Sequence, residues 1–590
     1  MNRFKSLIQT CVLSFASLFC FAQDNSTFKH TIEQGETVYA IATMYGVSTE
    51  AIYKLNPGSK EVIKVGKILL IPQKDKQAVQ THDSEAYIYH TIEAKETLYA
   101  VSMKYKVPAQ YIIKANPGLS AKTFRKGRTI RIPSQSSLSV NVTEEVIETE
   151  TQTKGIEYTV HKKETLYNIC KKFNVSSFEL IKANPNLKKG LKAGMKIIVP
   201  VTEALTKKED ADAESLIQSE SEVNAMLSAP KPAMALNQLK VALLLPFNPS
   251  SKSAASTRFI EYYEGMLLAV DSLKSQGFSL DLSVYDTSNG ATSVQKVLSG
   301  ETLPKTDLII GAVKNNEIKL IADFAKKHNI KYVIPFTSKN DDVLSNACVF
   351  QVNTPHSYLY SKAAEQGCKL FAKDNIIFVN IPDKEEKKTF IKTFQSELKD
   401  KNIPFKELSY NPETFAEDID SLYMEDSVRN VVIPTSSSLE ALKKVKTPLR
   451  MLAETQTDYT IAMFGYPEWQ TYVRDALDDF YALDTYIYTN FYADNLSQPM
   501  HDYYNKFKTW YSKNLINTYP KYGVLGFDTG MFFFGAMKKY GANFEEHLDN
   551  IHYPSIQTGF DFHRVNNWGG FINTNIFIVH YNKDFTVTRE

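Results

Sequence analysis

One pattern of about 43 residues is written three times in the first third of the chain, and it limits the fold more than any other feature. It runs from His30 to Pro72, from His90 to Pro133 and from Tyr158 to Pro200. Glu36-Thr37, Glu96-Thr97 and Glu164-Thr165 recur at offsets of 60 and 68, and Asn56-Pro57, Asn116-Pro117 and Asn184-Pro185 keep the same offsets. Repeats at fixed spacing are supersecondary units, so the unit is read before the whole chain.

Each copy predicts strand, helix, helix, strand. A short β-branched run opens it, and Thr37, Thr97 and Thr165 stand where a helix N-cap is wanted. Apolar residues then recur at helical spacing: Val38, Ile41, Ala42 and Tyr45 in copy one, Leu166, Ile169, Cys170 and Phe173 in copy three. A second short helix ends at Asn-Pro, because proline drives the preceding residue out of helical geometry. The closing strand is ILLIP, TIRIP or KIIVP.

This joint pattern resembles the LysM family over all three copies. The resemblance implies small α+β (βααβ) modules that bind N-acetylglucosamine-containing glycans, chiefly peptidoglycan in bacteria, in a groove between the loop before the first helix and the loop after the second. The candidate glycan-binding residues here are Gly35, Glu36, Thr37, Val38, Asn56 and Pro57; Lys95, Glu96, Thr97, Leu98, Asn116 and Pro117; and Lys163, Glu164, Thr165, Leu166, Asn184 and Pro185. Backbone supplies much of the family's sugar contact. The threonines also read as caps and the Asn-Pro pairs as helix stops, so both are expected to serve the fold first. Copy one keeps the family's small residue at Gly35; Lys95 and Lys163 weaken or alter the other two grooves. Three weak sites on one chain gain about 10²–10⁴-fold in avidity on a polymer with many equivalent sites.

Residues 1–22 carry Arg3 and Lys5 before an uncharged apolar run, the form of a secretory signal peptide cleaved after Ala22. Phe19 before Cys20 argues against lipidation at that cysteine. No later stretch is apolar enough to span a bilayer, so an exported protein, periplasmic or wall-associated, is expected. Cys170 reads as core; Cys348 and Cys368 leave both a disulfide and two free thiols open. A net charge of +2 over 590 residues gives no bulk electrostatic case for nucleic-acid binding.

The modules are expected at 28–73, 87–134 and 156–201, with a flexible polar linker at 202–237. From 238 to 590 the texture changes. KVALLLPFNP reads as a fully buried strand, a long amphipathic helix comes next, and strands then alternate with helices twice over. The fold class is therefore multidomain: three βααβ modules plus a two-lobed α/β domain with parallel sheets. The order resembles the type I periplasmic-binding-protein fold of branched-chain amino-acid-binding and receptor ligand-binding domains. That resemblance implies a cleft between lobes at the carboxyl ends of the strands. Its candidate residues are Phe247, Asn248, Gly311, Ala312, Thr337, Ser338, Asn380, Thr435, Ser436, Tyr466 and Asp528, with Phe247 and Tyr466 placed to close over a ligand. Proline and serine at strand ends are also ordinary turn chemistry.

No phosphate-cradling glycine loop, nucleophile elbow or metal-type Cys/His spacing appears. His547 and His552 are five apart and share no helical face; Asp286, Asp341 and Asp342 have no sequence-visible partner; His30 and His90 read as packing residues. No enzyme, cofactor or metal is expected. The leading reading is a peptidoglycan-tethered protein whose two-lobed domain binds an amino acid or wall fragment without catalysis. The rival is a scaffold or activator that docks a cell-wall synthesis or division protein through a ligand-free domain. A glycan hydrolase is the third class.

Overall fold

The computed structural model describes residues 27–60, 63–73, 87–134, 155–161, 169, 180, 184, 187, 194–200, 219–229, 231–248, 254–456 and 458–589. The signal-peptide reading of 1–22, Cys170, and the candidates Lys163, Glu164, Thr165, Leu166 and Pro185 lie outside them. The described residues fall into two compact units, one within Met1–His30 and Leu69–Ala229, the other within Thr31–Ile68 and Pro230–Glu590.

Modules 1 and 2 are βααβ as expected: β1 (Thr27–Thr31), helices Val38–Tyr45 and Thr49–Leu55 and β2 (Ile68–Pro72); then β3 (Tyr87–Thr91), helices Leu98–Tyr105 and Ala109–Ala115 and β4 (Thr129–Pro133). In module 3 the strands β5 (Gly155–Thr159) and β6 (Lys196–Pro200) pair antiparallel. Each module holds a small core; that of module 2 gathers Ile92, Leu98, Val101, Ile112, Ile130 and Ile132.

The reading of 202–237 as flexible linker is corrected over its last part. Ser219 and Glu222 form a reciprocal capping box on the helix Glu220–Ser228. Val223 of that helix is buried within the core of module 2, and the Leu227 carbonyl accepts the Ala121 N–H at 3.1 Å. A short amphipathic segment orders when a neighbouring surface receives its apolar residues, a partner that composition does not reveal. Lys231 pairs with Glu546 at 2.6 Å and the Met234 N–H donates to the Tyr540 carbonyl at 3.1 Å, so 231–237 lies on the large domain.

The large domain has two seven-stranded sheets. The first comprises β7 (Gln238–Leu245), β8 (Ser279–Asp286), β9 (Leu308–Gly311), β10 (Lys331–Ile334) and β11 (Val349–Gln351), joined later by β17 (Phe562–Arg564) and β18 (Phe571–Asn573). Its order is β8-β7-β9-β10-β11-β18-β17. The second comprises β12 (Asn375–Asn380), β13 (Phe405–Ser409), β14 (Arg429–Pro434), β15 (Thr460–Gly465), β16 (Thr485–Thr489), β19 (Phe577–Tyr581) and β20 (Val587–Arg589), in the order β13-β12-β14-β15-β16-β19-β20. Numbered within its own lobe, each sheet begins 2-1-3-4-5, the doubly wound order with a switch point beside its first strand. The central pairings are parallel, and β19 closes antiparallel on β16.

The chain crosses between lobes three times: through the helix His356–Leu370, after β16, and between β18 and β19. The crossings are tied together. Asn490 Nδ2 donates to Asn353 Oδ1 at 2.8 Å, and Lys362 Nζ donates to Thr574 Oγ1 at 3.0 Å. Cys348 and Cys368 are free and buried, in the cores of the first and second lobes respectively; burial pushes the Cys368 thiol up to about 11. Of the two states the sequence leaves open, the structure has the free thiols.

Candidate functional site

The loop before the first helix is built the same way in modules 1 and 2. Gly35 and Lys95 both take left-handed backbone, at φ 79° and 65°. The Glu36 carboxylate accepts the Glu33 N–H at 2.7 Å, and Glu96 accepts the Glu93 N–H at 2.9 Å, closing the turn. Thr37 and Thr97 cap their helices by accepting the N–H of Ala40 at 3.0 Å and Ala100 at 3.2 Å. Val38 and Leu98 point into the module cores. Side chains here set the loop and leave the Ala94-Lys95 tip exposed in module 2.

The second loop is equally constrained. Asn116 is fully buried: it donates to the Ile112 and Arg131 carbonyls, each at 2.7 Å, and accepts the Arg131 N–H at 2.9 Å. Asn184 makes the same three bonds to Leu180 and Ile198, while Asn56 donates to the Ile52 carbonyl at 2.8 Å. The asparagine thus staples the helix end to the closing strand, and Pro57 and Pro117 are left exposed beside it. Asn116→Ala is expected to cost module 2 about 2–3 kcal/mol, since buried backbone groups lose their partners. Faster amide exchange confined to module 2 would register this; wild-type protection would contradict it.

His90 is held between Glu96 (2.8 Å from Nε2) and the Tyr105 hydroxyl (3.1 Å from Nδ1), and His30 is likewise buried. Among the described residues no group of three His, Cys, Asp or Glu is placed to hold a metal ion.

The cleft candidates divide into two sets. Phe247, Asn248, Thr337, Ser338 and Asn380 reach the surface at the carboxyl ends of β7, β10 and β12. The Phe247 N–H donates to the Asp286 carboxylate at 3.1 Å, the Asn248 N–H to Ser288 Oγ at 2.7 Å, and Thr337 Oγ1 accepts the Lys339 N–H at 3.0 Å. Of the other six, Gly311 is buried and the side chains of the rest face inward. The Gly311 φ of 129° lets the chain pass Leu244, where a Cβ would lie under 3.0 Å from the carbonyl oxygen, and Ala312 is buried next to it. Thr435 accepts the Ile381 N–H at 2.9 Å and Ser436 the Ser438 N–H at 3.2 Å. Tyr466 is wholly buried, its hydroxyl donating to the Pro434 carbonyl at 2.5 Å and its ring packed among Phe390, Trp469 and Tyr488, so it cannot close over a ligand. Asp528 lies inside the helix Tyr522–Tyr540 and accepts the N–H groups of Ile556, Gln557 and Thr558 at 2.9, 2.8 and 2.8 Å.

Sequence reasoning did not single out the charged part of this rim. Lys387 pairs with Glu468, and His356 stacks on Tyr360 at 5.4 Å. Partial desolvation, then the charges of Lys387 and Lys339, hold the His356 imidazole below its usual range. A polar bridge of Gln470, Thr489, Tyr519 and Asn490 runs from the second lobe to Asn353 of the first. A cavity of about 440 Å³ lined by Phe532, Ile551, Tyr553 and Phe560 shares no residue with the rim.

The LysM domain family matches residues 30–72, 90–133 and 158–200, so the chain carries three LysM domains. C-terminal to them comes an α/β domain of two doubly wound lobes. The chain is similar to N-acetylmuramoyl-L-alanine amidase sle1 of Staphylococcus aureus (strain MRSA252), 23% identical over 175 residues, which is 29% of this chain and 52% of the amidase. Its Staphylococcus epidermidis counterpart is 24% identical over 171 residues, 29% of this chain and 50% of that one. The chain therefore spans about half the length of these curated relatives. Among solved structures it is similar to an ABC transporter substrate-binding protein from Desulfitobacterium hafniense, with a TM-score of 0.39, 13% identity, and coverage of 60% of this chain and 100% of that one. A branched-chain amino acid ABC transporter periplasmic ligand-binding protein from Burkholderia xenovorans LB400 has a TM-score of 0.41 and 11% identity over 60% and 94% of the two chains. The two-lobed assignment rests on the strand orders of the two sheets.

Proposed function

We propose that this is an exported, non-catalytic protein that LysM modules tether to peptidoglycan while its two-lobed domain binds a partner at the wall. The observation that carries the tether is the module 2 loop, where residues 93–95 stand exposed on a turn fixed by Glu96 and Thr97. Backbone groups held in place without a ligand lose little entropy when a sugar binds. Among the described residues no helix is long and apolar enough to cross a membrane.

For the two-lobed domain, the first reading is capture of an amino acid or wall fragment at the rim of Asn248, Thr337, Ser338 and Asn380. The second, docking of a wall-synthesis or division protein, is favoured by the six inward-facing residues and by the polar bridge between lobes. Thermal melts of the mature chain against amino acids and muropeptides separate them. A saturable upward shift supports capture, and no shift across the panel supports docking. Release of soluble sugar or peptide from purified peptidoglycan by the chain alone would overturn the non-catalytic reading.

A further inference from the structure

The matching loops of modules 1 and 2 have different surroundings. In module 2 the tip at Lys95 is exposed; in module 1 Gly35 is buried, and a Cβ there would lie under 3.0 Å from the Tyr358 ring. Tyr358 belongs to the helix His356–Leu370, the first crossing between the lobes. Around this contact Gln34 Nε2 donates to the Glu365 carboxylate at 2.9 Å, the Tyr39 hydroxyl donates to Asp341 at 2.7 Å, and Tyr45 packs on Trp568 with ring centres 5.9 Å apart.

The sequence carries the same distinction. At two equivalent positions modules 2 and 3 have lysine, Lys95 with Lys163 and Lys104 with Lys172, where module 1 has Gly35 and Met44. Met44 is 3% exposed, whereas Lys104 stands in solvent. Lysine at either place would set a long charged chain into the contact, which costs more than the same lysine in water. Module 1 has the composition of a surface that stays covered; modules 2 and 3 have that of surfaces left open.

We infer that the Gly35 loop is a shared site: it holds the Tyr358 helix or a glycan strand, and never both at once. The inference rests on the reading of these loops as glycan-binding. Modules 2 and 3 then make the first contact with the wall, and module 1 joins only by leaving the large domain. Because two ligands of one site exclude each other, glycan taken up by module 1 frees the inter-lobe helix, and docking lowers module 1's apparent glycan affinity by the fraction of time it is docked.

Hydrogen exchange on the full mature chain tests this, with an N-acetylglucosamine oligomer as probe. Gly35→Lys reproduces the residue that module 2 accommodates in the same left-handed turn, so the module keeps its fold while the contact is lost. Tyr358→Ala removes the contact from the other side and leaves the loop unaltered, but it also takes a ring from the first lobe's core, so Gly35→Lys is the deciding variant. Both variants are expected to exchange about ten-fold faster across 356–366 without sugar, and saturating oligomer is expected to produce the same loosening in the wild type. Protection of that helix unchanged in Gly35→Lys overturns the docked state. Oligomer that protects 33–38 of the wild type while the helix stays protected overturns the competition. An oligomer that protects no module overturns the glycan reading and the competition with it, while the variants still report on docking by themselves.

Discussion

Gly526→Ala is expected to unfold the first lobe at temperatures where the wild-type chain is stable, and Gly265→Ala to do nearly the same. The helices Ala254–Lys274 and Tyr522–Tyr540 cross through these glycines. A Cβ at Gly265 would lie under 3.0 Å from the Gly523 carbonyl oxygen, and one at Gly526 equally close to the Tyr262 carbonyl oxygen. Backbone meets backbone at both places, so no side-chain rotation relieves the overlap and the helices must separate. Separation strips contacts from Tyr262, Met266, Phe532 and Phe533, which lie at the centre of the first lobe's core. Overpacking on this scale costs about 4 kcal/mol or more, against a total stability of about 5–15 kcal/mol. Gly277→Ala is the control. Its Cβ would meet nothing within 4 Å, so only the positive φ of 77° opposes it, at about 1 kcal/mol. Urea midpoints of Gly526→Ala and Gly265→Ala should both fall well below that of Gly277→Ala; equal midpoints for Gly526→Ala and Gly277→Ala would contradict the close crossing.

Asp528→Asn is expected to cost about 3 kcal/mol and to loosen 556–558 first. Both carboxylate oxygens are engaged, one by Ile556 and the other by Gln557 and Thr558. The amide has one acceptor fewer, and its NH2 would face backbone N–H groups, so buried donors would confront each other. The same group gives stability a pH dependence. Burial pushes the Asp528 carboxyl up to about 6 despite its three backbone donors, against about 3.9 in an unfolded chain. The folded state therefore holds this proton more tightly. Its contribution is fully present below about pH 4 and is lost as pH rises through 6, a change of up to about 3 kcal/mol. Melts of the wild type minus those of Asp528→Asn should show that slope between pH 4 and 6; parallel curves would contradict it.

Much of this fold is legible in the sequence because its signals are local. Thr-Leu or Thr-Val caps, Asn-Pro stops and the closing Ile/Val-Pro define each module without reference to distant residues. Buried parallel strands such as Lys331–Ile334 and Arg429–Pro434 announce themselves by composition. The glycine spacing of Gly523, Gly526 and Gly530 is equally visible, but which helix it admits is a tertiary fact. Side-chain direction at a strand's end is tertiary too. Thr435 and Tyr466 stand at the carboxyl ends expected of them, yet their hydroxyls satisfy neighbouring backbone groups. Sequence position locates the rim without telling which residues face across it. The role of Gly35 is hidden for the same reason. It matches its family's small residue, and only the Tyr358 ring shows a second cause for having no side chain there.

Co-sedimentation of the chain with purified sacculi, with and without competing N-acetylglucosamine oligomers, tests the proposed peptidoglycan tether most directly. The chain should pellet with the sacculi and return to the supernatant as oligomer is added. A chain that stays in the supernatant at every sacculus concentration, or pellets with no response to the oligomer, would contradict it.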